Sequence, residues 1–282
     1  MSSNMSMIKK FLVYCFFLTT ATIMNAAPTK IVSLAPSITK MISLLDSEDL
    51  LVGCTSFCIL EKPGKVEIVA SAIQVNIEKI ILLKPDLILV SDLTRPETIN
   101  TFRKLGIEVH RFAYSKSFEE LCNDLIVLGE KLDKKGLAEN IINKTKAELE
   151  RVKLLVPGNT KKPRIFAQIG TNPLWAVIPE TFMNDFIEFA GGVNVVSDAR
   201  SGAISREQVL VRNPEVIFIM LMGTMGIDEK DQWKKYSGVD AVKSDKIFLM
   251  DQERTCSPTP PVFVETLEEM IRYIYALPTN KL

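Results

Sequence analysis

Residues 75–90 read "VNIEKIILLKPDLILV", and residues 203–220, "AISREQVLVRNPEVIFIM", say nearly the same thing again. Each copy places a capping residue, Asn76 or Ser205, two positions before a glutamate, Glu78 or Glu207. Seven positions after the glutamate stands a proline, Pro85 or Pro214, then an acid, then a run of apolar residues. The cap can accept hydrogen bonds from the free N–H groups of a helix's first turn, where the macrodipole also favours a carboxylate. The proline ends the helix, because it pushes the residue before it out of the α region. "DLILV" and "EVIFI" are then short continuous apolar runs, as expected of parallel strands buried on both faces. Two such helix-to-strand units predict two similar α/β lobes.

The flanking sequence fits that frame. "TKIVSLAPSITKMISLL" reads strand, loop, helix; "DLLVGCTSF" reads strand and loop; "PETINTFRKLGIEVHRFA" reads helix, glycine stop, strand. After residue 160, "PRIFAQIG" is a strand, "TFMNDFIEFAGG" an amphipathic helix with a glycine C-cap, and "DKIFLMD" a late strand. "TPPVFVETLEEMIRYIYAL" is a terminal helix opened by prolines. Between the lobes, residues 117–155 carry apolar residues at helical spacing, no proline and many Glu/Lys pairs, weakened locally by Gly129 and Gly136. A single helix of about 38 residues would be roughly 57 Å long, a rigid strut rather than a flexible linker. The fold expected is therefore α/β: two Rossmann-like lobes, residues 28–116 and 157–282, joined by one long rigid helix over 117–156, with a ligand cleft between them. Such a body opens and closes only slightly.

Residues 1–27 stand apart. Lys9 and Lys10 precede the apolar run "FLVYCFFLTTATIM" and then "NAAPTK", the pattern of a secretory signal peptide cleaved near Ala26 or Ala27. The run is shorter than the roughly 20 residues that span a bilayer comfortably. The mature chain is therefore expected outside the cytoplasm, in the periplasm. The whole chain of 282 residues is 47% hydrophobic with a formal net charge of zero, so nothing argues for nucleic acid or an anionic membrane as partner. Cys54, Cys58, Cys122 and Cys256 remain after cleavage, and an oxidising compartment leaves disulfides open without choosing among pairings. No second Cys pair or His pair completes a zinc site, and the lone histidine, His110, lies in a strand-like run. No G-x-S-x-G elbow or G-x-G-x-x-G loop is present.

In order along the chain, "IVSLAPSITKMISLL", "VGCTSF", "NIEKIILLKPDLILV", "LGIEVHRFA", "FIEFAGGVNVV" and "SREQVLVRNPEVIFI" resemble the helix-strut (class III) periplasmic substrate-binding proteins of the iron-siderophore, haem and vitamin B12 ABC importers. The resemblance covers about residues 29–282 and is locally nearest to the vitamin B12-binding members, through "SREQVL". It implies a non-enzymatic solute receptor, acting as a monomer with no cofactor of its own, that captures a metal chelate (a cobamide, a ferric siderophore or haem) and delivers it to a permease dimer with its ATPase. It also implies that Glu78 and Glu207 dock to arginines on that permease. Two carboxylates on a rigid body read the spacing of two cationic sites, which fixes register more than it adds affinity.

In α/β folds ligands sit in the crevice outside the carboxyl ends of the strands. The loops expected there offer Ser37, Phe57, Cys58, Asp92 and Tyr114 from the first lobe, and Trp175, Phe182, Arg200 and Arg254 from the second. Phe57 aligns with an aromatic of the pocket in the vitamin B12-binding members, but Ala72 and Ser201 stand where two others would be. Glu207 therefore speaks for the transporter type rather than for cobalamin. Cys58 and Cys256 are expected to face the cleft from opposite lobes. A disulfide between them, one between Cys54 and Cys58, and a thiolate ligating a bound metal centre are all open. "IMLMGTMG" (219–226) reads as core and pocket wall before soft-metal site. Two alternatives belong to other classes. A chelatase-like enzyme acting on tetrapyrroles would need metal ligands and a general base in the cleft. A bare metal-ion receptor would need several converging His, Asp or Glu ligands, for which one histidine is a poor start.

Overall fold

A computed structural model describes residues 27–60, 64–71, 74–158, 161–221 and 227–278. The signal-peptide segment up to residue 26 lies outside them, as do Ala72 and residues 222–226 of the methionine-rich stretch.

The first lobe is built on five strands: β1 (Ile31–Ser33), β2 (Leu51–Thr55), β3 (Glu67–Ala70), β4 (Leu87–Ser91) and β5 (Glu108–Phe112). They pair in the order β3-β2-β1-β4-β5, all parallel. The order reverses between β1 and β4, which places a crevice at their carboxyl ends. The helices α1 (Pro36–Leu44), α2 (Ile77–Leu83) and α3 (Pro96–Lys104) make the crossovers. A proline in the first turn of α1 and of α3 suits a helix start, because its missing N–H would have no partner there anyway.

The joining segment forms differently from the sequence expectation. Residues 117–156 hold two helices, α4 (Phe118–Lys131) and α5 (Lys135–Lys153). Between them Asp133 takes a left-handed φ of 55°, and the Lys134 N–H donates to the Gly129 carbonyl at 2.7 Å. The two helices run antiparallel as a hairpin, tied by an ion pair between Lys146 and Glu119 at 2.6 Å. Gly129 makes the close approach possible: a Cβ there would lie 2.6 Å from the Ala138 Cβ. The long rigid connector is thus α5 alone, about 28 Å for its 19 residues.

The second lobe carries β6 (Arg164–Thr171), β7 (Leu174–Ala176), β8 (Val193–Asn194), β9 (Val216–Ile219) and β10 (Ile247–Leu249). Its sheet runs β10-β9-β6-β7 with β8 also on β6, parallel except for the β6–β7 pair. Its helices are α6 (Phe182–Phe189), α7 (Arg206–Arg212), α8 (Ile227–Lys234), α9 (Asp240–Lys243), α10 (Gln252–Cys256) and α11 (Pro260–Tyr275).

The repeated units fold as the sequence predicts. Asn76 Oδ1 accepts the Lys79 N–H at 2.9 Å to start α2, and Ser205 Oγ accepts the Gln208 N–H at 3.2 Å to start α7. Both helices end on a left-handed residue just before the proline, Lys84 (φ 50°) and Asn213 (φ 43°). One core runs through both lobes, from Ile31 and Leu89 through Leu125, Leu128 and Leu149 to Phe186, Phe218 and Phe263. Phe186 and Phe263 stack at 4.1 Å within it. Separate clusters cover the outer sheet faces, around Ile80 and Phe102 in one lobe and Val209 and Trp233 in the other. The inner strands of both sheets are therefore buried on both sides, which is why β1, β4 and β9 are apolar without alternation, whereas the edge strand β5 carries polar residues.

Direct ties reach the second lobe from the first lobe and from the start of α4. Lys40 on α1 pairs with the Glu253 carboxylate at 2.7 Å and reaches the Ser257 carbonyl at 3.2 Å. The Phe118 N–H donates to Asp185 on α6 at 2.7 Å, and the Phe182 N–H to the Ser115 carbonyl at 3.3 Å. A shared core plus these ties limits hinge opening.

Candidate functional site: an interlobe cleft and two acidic helix tips

Phe57, directly after β2, is 57% exposed; Tyr114, after β5, is 48% exposed; Trp175, on β7, is 42% exposed. Ile59 and Leu93, on the loops after β2 and β4, are exposed as well. All five belong to the ends of strands that border the crevice. Large apolar side chains held out of a core at one end of the sheets offer an apolar, aromatic wall to a ligand. Trp175 is fixed rather than loose, since β7 bridges Ala203 and a Cβ on Gly202 would lie 2.5 Å from the indole ring. The glycine is needed there because the backbone passes directly under the ring.

The other residues singled out by sequence divide. Ser37 lies half-buried in the first turn of α1, at the switch point. Asp92 is occupied: it accepts Arg111 Nε at 2.6 Å and the Tyr114 N–H at 2.9 Å, so it braces the Tyr114 loop. Phe182 is 4% exposed and belongs to the core, with its ring 5.8 Å from that of Tyr114. It backs the tyrosine rather than meeting a ligand. Arg254 is engaged by Glu269 at 2.9 Å and Glu265 at 3.6 Å, and so joins α10 to α11. Arg200 is exposed and pairs with no other described residue, which leaves its cation free for an acidic group.

None of the disulfides left open by the sequence is formed: Cys54, Cys58, Cys122 and Cys256 are free thiols. Cys58 Sγ accepts from Thr39 Oγ1 at 3.1 Å and lies 3.3 Å from Thr55 Oγ1. Hydrogen bonds from Cys54, Thr39 and Thr55 together outweigh burial and push its pKa down to about 6. Cys54, fully buried, is pushed the other way by the same contact and by desolvation. Cys256 Sγ faces the Met220 carbonyl at 3.7 Å. Burial pushes the Tyr114 hydroxyl up to about 12, with Cys256 adding to it, so the phenol is neutral and a donor at neutral pH.

Glu78 and Glu207 are both exposed, in the first turns of α2 and α7. In a parallel β-α-β unit the helix runs against the strands, so its N-terminus lies at their carboxyl ends. The contacts agree: the Asn76 N–H donates to the Val69 carbonyl at the end of β3, and the Ile204 N–H to the Leu174 carbonyl beside the end of β6. Each glutamate therefore stands on the rim at which the ligand wall opens. Glu207 is held below the usual carboxylate range by its own backbone N–H and by Ser205.

Sequence reasoning missed several of the working residues. Lys40 and Glu253 are 213 positions apart and no local pattern joins them. Arg206 spans Glu229 with two contacts, at 2.8 and 2.6 Å, beneath α7, and Glu229 also accepts from Gln168 at 2.8 Å. Among the residues that sequence reasoning left out, Leu93 carried a local signal, an apolar side chain in the polar turn "SDLTRP".

Two parallel-sheet lobes around a crevice, braced by a helix, have the architecture of a two-lobed binding protein. The family model described as "Periplasmic binding protein" matches residues 31–254, and the chain belongs to that family, whose members carry solutes outside the cytoplasm for ABC importers. The chain is 25% identical over 256 residues to the uncharacterized ABC transporter substrate-binding lipoprotein YvrC of Bacillus subtilis, covering 88% of this chain and 80% of that protein. It is 24% identical to a vitamin B12-binding protein of Vibrio parahaemolyticus, covering 90% and 93% of the two chains. Its fold matches the crystal structure of a possible iron-binding (periplasmic solute-binding) protein from Staphylococcus epidermidis with a TM-score of 0.79 at 24% identity, covering 88% and 99%.

Proposed function

We propose that this protein, freed in the periplasm by cleavage of its signal peptide, captures a metal chelate in the interlobe cleft and hands it to the permease dimer of an ABC importer driven by its ATPase. The cargo class is a cobamide, a ferric siderophore or haem, and the working form is a monomer. The observation that carries this reading is the exposed aromatic set of Phe57, Tyr114 and Trp175 at the strand ends of two lobes tied into one rigid body. A broad apolar wall suits the face of a large planar or organic-wrapped cargo, and Arg200 suits its acidic substituents. The resemblance to vitamin B12-binding relatives supports the cargo class. A bare ion would need converging ligands, and among the described residues no group of three or more His, Cys, Asp or Glu side chains is placed to hold one.

The test is a thermal-melt panel of the mature chain with cyanocobalamin, haemin and a ferric hydroxamate siderophore. A cargo at 100 times its dissociation constant adds about 2.7 kcal/mol to folded-state stability, a shift of several degrees. One of the three chelates is expected to raise the melting temperature, and Trp175→Ala is expected to abolish the rise. No shift with any of them overturns the assignment.

A further inference from the structure

Leu82 on α2 is 79% exposed and Val211 on α7 is 87% exposed. Single exposed apolar side chains are common on protein surfaces and need no explanation; Leu154, at 84%, is one. Leu82 and Val211 differ from it in two ways. They occupy the same position in the two repeated helices, seven residues after the capping residue's preceding neighbour in each copy: "IEKIILL" against "REQVLVR". Each also lies four residues after the rim glutamate, Glu78 or Glu207, and so one turn along the same helix face. The residues between them are buried alike, Ile80 against Val209, which fixes the same face outward in both lobes.

The duplicated backbone does not require this match. A position this exposed has no packing reason to be apolar in both copies; Ile81 and Leu210 beside it are also apolar but more covered, Leu210 by the Trp233 cluster, and Lys79 against Gln208 differs. A small cargo in the cleft does not explain it either, since both side chains point away from the sheets on the outer crossover helices. A partner that presents the same surface twice does explain it.

We propose that Leu82 with Glu78, and Val211 with Glu207, form two equivalent docking patches for a two-fold symmetric permease, each seating an apolar side chain in a socket beside the cation that receives the carboxylate. This rests on the importer-delivery reading above and adds to it the non-electrostatic half of the contact. The carboxylates set register and encounter rate, and lose strength as salt rises. The apolar pair supplies attraction that salt does not screen.

The experiment measures binding of the full mature chain to its own importer, permease dimer with ATPase, in nanodiscs at about 50 mM and about 500 mM NaCl, on either side of a Debye length of roughly 10 Å. Leu82→Ser with Val211→Ser is expected to weaken binding roughly tenfold or more at both salt concentrations, and each single variant to account for part of that loss. Glu78→Gln with Glu207→Gln is expected to flatten the salt dependence while leaving the binding that persists at high salt. Leu154→Ser is expected to change nothing. If the serine pair binds within about twofold of the parent while the glutamine pair loses affinity, the apolar patches are wrong and the docking reading stands. If neither pair changes binding, the docking reading falls and takes this inference with it. Self-association of the chain that the serine pair abolishes assigns the patches to a second copy and also overturns the proposal. Thermal melts of every variant, with Leu82→Gln and Val211→Thr as substitutes for any that unfold, keep loss of fold apart from loss of docking.

Discussion

Asp86 and Glu215 do the same work in the two lobes. Each is the acid that follows the proline of the repeat, and each grips the entry to the central strand of its sheet. Asp86 Oδ2 accepts the N–H groups of Thr29 and Lys30 at 2.8 and 2.9 Å, just before β1, and the Asp86 N–H returns to the Lys30 carbonyl at 2.9 Å. Glu215 Oε2 accepts the Arg164 N–H at 2.8 Å at the start of β6, and its own N–H returns to the Arg164 carbonyl at 2.8 Å. The next residue of each pairs in the same register, Leu87 with Ile31 and Val216 with Ile165. The acid of the repeat is thus a clamp that sets the register of two central strands.

Asp86→Ala and Glu215→Ala are each expected to cost about 0.5–1.5 kcal/mol, the range of a hydrogen bond exchanged against water. The Thr29 hydroxyl and amide hold the Asp86 carboxyl below its usual range, and the Arg164 amide does so for Glu215. A pKa lower in the folded chain than in the unfolded one means stability that is present above the unfolded value, about 4, and is lost as pH falls through the folded one. Urea midpoints of parent and variants should therefore differ at pH 7 and converge as the pH is taken below that window. A difference that persists in acid would show that the carboxylate charge is not what clamps the strand.

Gly129→Ala tests the helix hairpin by setting two effects against each other. In an ordinary helix interior this change gains roughly 1 kcal/mol of propensity. Here the new methyl would lie 2.6 Å from the Ala138 Cβ and 3.2 Å from the Lys134 carbonyl oxygen, both fixed by backbone. Overpacking of that kind costs about 1–3 kcal/mol, so the net is expected to be destabilising. A lower midpoint in denaturant, with unchanged helical content, is the measurement. A stabilised variant would mean that α4 and α5 do not meet at this point.

The lobes were legible because their signals are local. Caps, prolines and apolar runs repeat within about sixteen residues, and "VNIEKIILLKPDLILV" needs no distant partner to be read. The break in the connector was half legible. Gly129 was visible as a weak point, but a glycine alone does not say whether a helix continues through it. The deciding fact, close packing on Ala138, exists only once the chain has turned back. The site divided for the same reason. Phe57 and Trp175 announce themselves as aromatics at strand ends, whereas Phe182 looks identical in sequence and is buried in the core shared by the two lobes, its ring beside that of Tyr114. Arg254 could not be told from a ligand-binding cation because Glu265 and Glu269 reach it from the next helix.

The contrast between the two aromatics of the second lobe gives a third prediction. Phe182→Ala removes a core ring and is expected to cost about 3–5 kcal/mol of stability. Trp175→Ala removes a ring that is nearly half exposed, so its cost to stability is expected to be well below that, with the loss falling on cargo binding. Chemical denaturation and calorimetric titration of both variants separate the roles. Equal losses of stability would place Trp175 in the packing and take it out of the ligand wall.

Cys58 provides the last test. Hydrogen bonds from Cys54, Thr39 and Thr55 favour its thiolate and place its titration near 6, whereas an ordinary free thiol titrates near 8.5. Cys122 is pushed up to about 12 by burial, and Cys54 is also pushed up. Carboxamidomethylation at pH 7, read by peptide mapping, should therefore modify Cys58 before Cys54 and Cys122. Its rate should rise through a midpoint near pH 6. Thr39→Val removes the donor at 3.1 Å and is expected to move that midpoint upward without altering the melting temperature by more than a few degrees. Uniform alkylation of the thiols, or a Cys58 midpoint near 8.5 that Thr39→Val does not move, would show that the hydroxyls do not stabilise the anion. Protection of Cys58 by a bound chelate, in the same assay, would place its sulfur against the cargo; unchanged alkylation in the saturated complex would place it behind the wall that Phe57 presents.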